Sequence, residues 1–132
     1  MKKVIFTICC ILMHSLGVNA CGGIVVQGNS GADYCLSEYK MNWYSAYAWC
    51  EAQRMKLIDM NSVCKSYNSC AEFKFSADKE NNIPSGDNSY IWAWTSTSSS
   101  SAKAYRVSLK SQSGGIAAMD YSSFQYDRAL CH

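Results

Sequence analysis

Cysteine is the residue type with the widest choice of chemistry in this sequence. Two of the eight cysteines lie in the first twenty residues. A thiol can form a disulfide, ligate a metal or carry a lipid, so the compartment of the protein decides its role. The six later cysteines are Cys21, Cys35, Cys50, Cys64, Cys70 and Cys131.

The amino-terminal segment indicates that compartment. Lys2 and Lys3 precede an apolar run from Val4 to Val18, and the segment ends in Val-Asn-Ala. This pattern is typical of a secretory signal peptide, so we predict cleavage after residue 20, a single domain over 21–132 and a secreted or extracytoplasmic location, in the periplasm or at the cell surface. Six cysteines in an oxidising compartment predict three disulfides.

Two other uses of the thiols remain open at this stage. A zinc site built from Cys64, Cys70, Cys131 and His132 has suitable ligand types, but it needs reduced thiols. A lipid on Cys21 would make Val-Asn-Ala-Cys a lipoprotein signal. That signal lacks its usual leucine, and lipidation would leave an odd number of cysteines.

Catalysis by a nucleophile and a base is not supported. The chain after residue 20 contains one histidine, His132, at its very end. A Ser or Cys nucleophile needs a neighbouring base, so we predict that the protein is not an enzyme and has no cofactor. A glycosidase with two carboxylates stays open, because scattered acids alone decide little.

The charge balance bears on the class of partner. Lys2 and Lys3 account for two of the twelve basic residues, so ten remain against ten acidic residues and the net charge is close to zero. A nucleic-acid backbone is bound through clustered positive charge, so we predict no nucleic-acid partner. No segment after residue 20 is apolar for long enough to span a membrane.

The elements that must position these side chains can be predicted from periodicity and turn residues. Residues 21–40 predict a hairpin around GNSGAD, and Trp43 to Arg54 predict a helix capped by Asn42, with Trp43, Ala46, Tyr47 and Cys50 on its buried stripe. Residues 56–60 predict a short strand and NSVCKSY predicts a second helix capped by Asn61 or Ser62. Residues 76–89 predict an exposed loop. The remainder predicts an antiparallel meander with strands over 90–96, 103–110, 115–122 and 125–132.

This arrangement suggests three cysteine pairs. Cys21 and Cys35 lie at comparable heights on the two arms of the hairpin, and Cys64 and Cys70 are close enough for a small loop. A bridge from Cys50 to Cys131 would join the inner side of the first helix to the last strand. Because it closes a loop of about eighty residues, chain entropy would assign it about 4 to 5 kcal/mol, the largest contribution of the three.

The segment MNWYSAYAWCEAQRMKLIDM, together with YIWAWTS and the terminal ALC, resembles the C-type lectin-like family, in particular its short secreted bacterial members. The resemblance covers about residues 36–132, with 21–40 as an added hairpin. It implies an α+β fold in which two helices pack on a mostly antiparallel sheet and disulfides stabilise the whole. It also implies binding of a ligand, although fold alone does not carry function.

The calcium-binding motifs of that family are absent. The only proline lies in Ile83-Pro84-Ser85, and Trp94 is followed by Thr95 and Ser96. The usual set of oxygen ligands is therefore missing, and we predict binding without calcium. Asp78, Glu80, Asp87 and Asn88 in the long loop remain an alternative source of oxygen ligands.

The sequence analysis therefore predicts a secreted, non-catalytic module that binds a glycan or protein ligand at the cell surface. A subunit of an adhesin or pilus-like structure is the alternative. Tyr, Ser and Asn recur in the long loop and in residues 120–126, a composition that suits recognition surfaces. Tyr121 and Tyr126 could equally be half-buried strand residues. The predicted ligand-binding residues are Asn82, Asp87, Asn88, Tyr121, Phe124 and Tyr126.

Overall fold

A computed structural model describes residues 21–65, 70–74, 91–109, 116–123 and 127–132. The predicted signal peptide and long loop lie outside these residues. Within the described ranges, six strands and two helices form an α+β fold: β1 (Ile24–Gln27), β2 (Asp33–Lys40), α1 (Trp43–Ala52), α2 (Met60–Val63), a 3₁₀ turn (Ala71–Phe73), β3 (Trp92–Ser98), β4 (Lys103–Ser108), β5 (Ile116–Asp120) and β6 (Asp127–Cys131).

The strands form one sheet in the order β1-β2-β6-β3-β4-β5. β6 runs parallel to β3, and the other neighbouring strands are antiparallel. The predicted α+β class and mostly antiparallel sheet are therefore confirmed. The predicted meander is wrong at its last step, because β6 does not return beside β5. It enters between β2 and β3 and joins the amino-terminal hairpin to the rest of the sheet.

Helix α1 begins where the sequence predicts and ends slightly earlier. Asn42 caps it, with Oδ1 accepting a hydrogen bond from the backbone N–H of Ser45 at 2.8 Å. At the other end, Arg54 adopts a left-handed φ of 58°. Its N–H donates to the carbonyl of Glu51, and the N–H of Met55 donates to the carbonyl of Cys50, which is the Schellman arrangement. Arg54 therefore lies beyond the last turn, and its predicted position within the helix is wrong.

The buried stripe of α1 is narrower than the sequence predicts. Ala46 and Cys50 are fully buried, and α1 packs through this side on β6 and β3. Tyr47, which the periodicity placed on the stripe, is 43% exposed. Two small residues allow the helix to approach the sheet closely, and the larger ring is then displaced to the rim.

The segment after α1 forms less regular structure than predicted. Residues 56–60 are not a strand, and only Leu57 makes an isolated antiparallel bridge, to Cys131. The short helix α2 is capped by Asp59, whose Oδ1 accepts from the N–H of Asn61 at 2.9 Å. Asn61 and Ser62, which the sequence predicts as caps, lie inside the helix instead. Asp59 is the cap because its side chain accepts the hydrogen bond from the N–H of Asn61, which has no partner within the helix.

Three disulfides join Cys21 to Cys35, Cys50 to Cys131 and Cys64 to Cys70, the same pairs that the sequence suggests. Cys35 and Cys131 are direct partners across β2 and β6, so two of the bridges meet in the core beneath α1. The opposite face of the sheet has its own apolar core, which includes Leu36, Phe73 and Leu130. Within the described residues, no helix is long and apolar enough to cross a membrane.

Candidate functional site: an exposed aromatic cluster

Four aromatic rings meet where α1 begins and β5 ends, and we call them the aromatic cluster: Trp43, Tyr44, Tyr47 and Tyr121. The ring centroid of Trp43 lies 5.4 Å from those of Tyr44 and Tyr47 and 4.8 Å from that of Tyr121. The centroids of Tyr44 and Tyr121 are 5.7 Å apart. These separations are those of rings in direct contact, so the cluster is a continuous aromatic surface.

Trp43 attaches the cluster to the sheet. Its indole Nε1 donates a hydrogen bond to the carbonyl of Thr95 on β3 at 2.9 Å. Its backbone N–H donates to the carbonyl of Tyr121 at 3.1 Å. Trp43 therefore joins the helix, the sheet and the segment after β5 at one point.

Tyr121 connects the cluster to the serine-rich hairpin between β3 and β4. Its hydroxyl lies 2.6 Å from the hydroxyl oxygen of Ser98 and donates weakly, at 3.4 Å, to the carbonyl of Ser100. Its backbone N–H donates to the carbonyl of Ala102 at 3.0 Å. The serine run Ser98 to Ser101 is thus the tip of the β3–β4 hairpin, and it also fixes the Tyr121 ring.

Two rings of the cluster face solvent. Tyr44 is 59% exposed and Tyr47 is 43% exposed, whereas Trp43 and Tyr121 are half-buried beneath and beside them. Large aromatic side chains that remain exposed together, on an ordered support, commonly mark a binding surface.

A buried ion pair occupies the same face of the sheet as Trp94. Arg106 Nη1 lies 3.0 Å from Asp127 Oδ1, and its guanidinium lies 4.3 Å above the ring of Trp92. Asp127 is fully buried, and burial raises the pKa of its carboxyl group, although the charge and hydrogen bond of Arg106 act in the opposite direction. The second carboxylate oxygen, Oδ2, has no hydrogen-bond partner among the residues that the structure describes. This pair belongs to the interior and offers no accessible chemistry.

Glu72 is another ionisable group with well-defined partners, and its role is structural. Its carboxylate accepts hydrogen bonds from the N–H and hydroxyl of Ser30, at 2.7 and 2.6 Å, and from the hydroxyl of Tyr34 at 3.0 Å. Burial tends to raise the pKa of Glu72, but these hydrogen bonds outweigh it and the pKa is lowered. Burial, together with the hydrogen bond to Glu72, raises the pKa of Tyr34 to about 12. Glu72 thereby fastens the turn of the β1–β2 hairpin to the 3₁₀ turn.

The structure removes the zinc alternative. Cys64 is bonded to Cys70, and Cys131 is bonded to Cys50, so none of the three can be a thiolate ligand. No group of three metal-binding side chains occurs in the part of the chain that the structure describes. His132 packs its ring against Tyr34, with centroids 5.0 Å apart.

The predicted ligand-binding residues divide into two groups. Tyr121 lies in the aromatic cluster and is half-buried there. The other predicted residues lie outside the described part of the chain: Asn82, Asp87, Asn88, Phe124 and Tyr126. The calcium alternative, with Asp78 and Glu80, also falls outside it.

Trp43, Tyr44 and Tyr47 are site residues that the sequence alone did not predict. A signal was present, because WYSAYAW holds four aromatic residues within seven positions. A buried stripe accommodates about two of every seven side chains, or three when it is wide. Some of these rings therefore had to lie at the surface.

No protein-family model matches this chain, and no curated protein matches it either. The candidate site thus depends on the geometry described above.

Proposed function

We propose that this protein is a secreted, non-catalytic ligand-binding module of the C-type lectin-like kind. Its ligand is a carbohydrate or a protein met outside the cytoplasm, and binding needs no calcium. The signal-peptide pattern of residues 1–20 and the three disulfides support export. Helix α1, bridged to the last strand through Cys50 and Cys131, supports the fold assignment.

The observation that carries the proposal is the exposure of Tyr44 and Tyr47 on a fixed aromatic support. Leaving such rings half exposed to water forgoes about half of the 1.5 to 3 kcal/mol that complete burial of a large apolar side chain supplies. A ligand that covers them recovers part of this free energy. Hydroxyl groups on the tyrosines and on neighbouring Ser98 supply polar contacts beside the apolar rings.

A second candidate function is assembly into a surface structure such as an adhesin or pilus-like fibre. The observation that favours it is the position of β5 at one edge of the sheet. Of the other five described strands, β5 pairs with β4 and with no other. An exposed strand edge can accept a strand from another chain. In this case β5, and not the aromatic cluster, would make the main contact.

The exported protein can be tested on a glycan array with and without a chelator, in parallel with isolation of proteins that co-purify from the cell surface. We expect binding that is unchanged by chelation. Loss of binding in chelator would contradict calcium independence, and hydrolysis of a glycan would contradict the non-catalytic assignment. If no glycan on the array is bound and a fibre subunit co-purifies stably with the protein, the assembly function would be favoured.

A further inference from the structure

The aromatic cluster also limits the chemistry of its ligand. We propose that it binds an uncharged sugar, whose pyranose ring lies flat against the exposed face of one of the two tyrosines, Tyr44 or Tyr47, and meets the other ring at an angle, because the two ring planes are not parallel. This inference rests on the proposed function and narrows it to one ligand class and one location.

The packing of the rings argues against a cage. All three tyrosine rings contact the ring of Trp43, with centroids 4.8 to 5.4 Å from it, so the indole takes the central place that an enclosed cation would need and leaves no gap there. Quaternary ammonium ligands are bound in aromatic cages that surround the cation. A surface without such a gap favours a ligand that lies on top of it, as the apolar C–H face of a sugar does.

The area of the exposed rings matches a small ligand. Aromatic side chains bury about 150 to 250 Å² each when they are covered completely. With exposures of 59% and 43%, Tyr44 and Tyr47 together present about 200 Å². A stable protein interface needs about 800 Å² on each partner. The exposed rings are thus large enough for one or two sugar rings and small for a protein partner.

The polarity of the cluster favours a neutral sugar. Among the described residues, the hydrogen bonds and ring contacts of its four side chains involve backbone carbonyls, hydroxyls and other rings, and no charged group. A carboxylate or sulfate on the ligand would lose water without gaining an ionic partner among these contacts. We therefore expect sialylated and sulfated glycans to bind less well than neutral ones.

The rings that support Tyr44 and Tyr47 are held in place by hydrogen bonds before any ligand binds. Trp43 is held by Thr95 and Tyr121 is held by Ser98. A rigid surface loses little conformational entropy on binding, and such a loss would otherwise weaken the affinity for a small ligand.

The test uses the exported protein and neutral oligosaccharides of glucose, galactose, mannose and N-acetylglucosamine, with sialylated and sulfated counterparts and choline as comparison probes. Affinity is measured by calorimetry, and contact with the rings is followed by tryptophan fluorescence. We expect Tyr44→Ala and Tyr47→Ala each to weaken binding of the best neutral sugar about tenfold. Tyr39→Ala is the matched control, because Tyr39 is 76% exposed and takes no part in the cluster. It should leave the affinity unchanged.

The outcomes separate this inference from the proposed function. If a neutral sugar binds equally well to both alanine variants, the location is wrong while the lectin-like function stands. If choline, a charged glycan or a co-purifying protein is the ligand that depends on Tyr44 and Tyr47, the sugar class is wrong. If no glycan and no protein binds, both proposals fail. Unchanged unfolding midpoints for the variants exclude a folding defect as the cause of lost binding.

Discussion

The indoles of Trp43 and Trp94 donate hydrogen bonds in opposite directions across the junction between α1 and β3. Trp94 Nε1 donates to the carbonyl of Met41 at 2.8 Å, and Trp43 Nε1 donates to the carbonyl of Thr95 at 2.9 Å. Each ring therefore satisfies its polar atom on the other element. The position of the aromatic cluster relative to the sheet is fixed by this exchange.

Replacing Trp43 with phenylalanine should loosen this junction. The variant keeps an aromatic ring but removes the donor to Thr95, which we expect to cost about 1 kcal/mol of the free energy of unfolding. Urea denaturation measures the cost. Trp49→Phe is the control, because Trp49 is also half-buried on α1 and its indole makes no hydrogen bond within the described residues. Equal losses for the two variants would show that ring size alone matters.

Arg106→Ala should destabilise the protein strongly at neutral pH. It leaves the buried carboxylate of Asp127 without its cation, at a cost of about 3 kcal/mol. The pKa of the Asp127 carboxyl group is already raised in the folded protein, so the folded state keeps this group protonated to a higher pH than the unfolded state does. The protonated carboxyl group therefore adds to the stability of the folded state, and this contribution is lost as pH rises through the folded pKa.

The penalty of Arg106→Ala should accordingly shrink when the pH is lowered and Asp127 becomes protonated. Unfolding measured by urea between pH 3 and pH 7 tests this direction. Adding Asp127→Asn to Arg106→Ala should remove most of the pH dependence of the penalty. A penalty that is the same at both ends of the pH range would argue against an ionised Asp127.

Glu72→Gln should weaken the attachment of the β1–β2 turn. The charged oxygens accept three hydrogen bonds from Ser30 and Tyr34, and their replacement should cost about 1 kcal/mol at pH 7. Because the pKa of Glu72 is lowered, its contribution is complete above its ordinary value of 4.5 and is lost as pH falls through the lower folded pKa.

The difference between wild type and Glu72→Gln should therefore narrow only in acid, below pH 4.5. Thermal unfolding across the acid range measures it. Glu51→Gln serves as a control, since Glu51 is exposed on α1. An equal response from both variants would mean that the hydrogen bonds of Glu72 contribute nothing measurable.

Arg54→Gly should stabilise the protein. Arg54 occupies the left-handed region, with φ at 58°, as the residue that ends α1. A residue with a Cβ atom is strained there by about 1 kcal/mol, and glycine avoids this strain but is more flexible when unfolded. We expect a net gain of about 0.5 kcal/mol in urea denaturation. Arg54→Ala keeps the Cβ atom and should show no gain, so a glycine variant no more stable than the alanine variant would contradict the argument.

Features set by local patterns were predictable from the sequence. The hairpin turn GNSGAD, the cap at Asn42 and the pairs Cys21–Cys35 and Cys64–Cys70 depend on short spacings. The pairing of Cys50 with Cys131 followed instead from the helix and the strand predicted to carry them. The position of β6 depends instead on pairing with β2 and β3, both distant in the chain. Alternation along Arg128 and Leu130 indicates a strand but does not identify its neighbours.

The candidate site was predicted only at Tyr121. A helical pattern indicates which residues share a face, but it does not indicate how closely that face approaches the sheet. The small side chains of Ala46 and Cys50 set that distance and leave Tyr44 and Tyr47 outside. Their grouping with Tyr121 required the tertiary fold, because about seventy-five residues separate them in the chain.

The central position of β6 has a consequence for how the molecule is made. Without residues 127–131 the sheet consists of two separate pieces, β1 with β2 and β3 with β4 and β5. Because synthesis proceeds from the amino end, these two pieces cannot be joined until the last strand has been made. Cys50 likewise has no partner for its disulfide until residue 131 has been added to the chain.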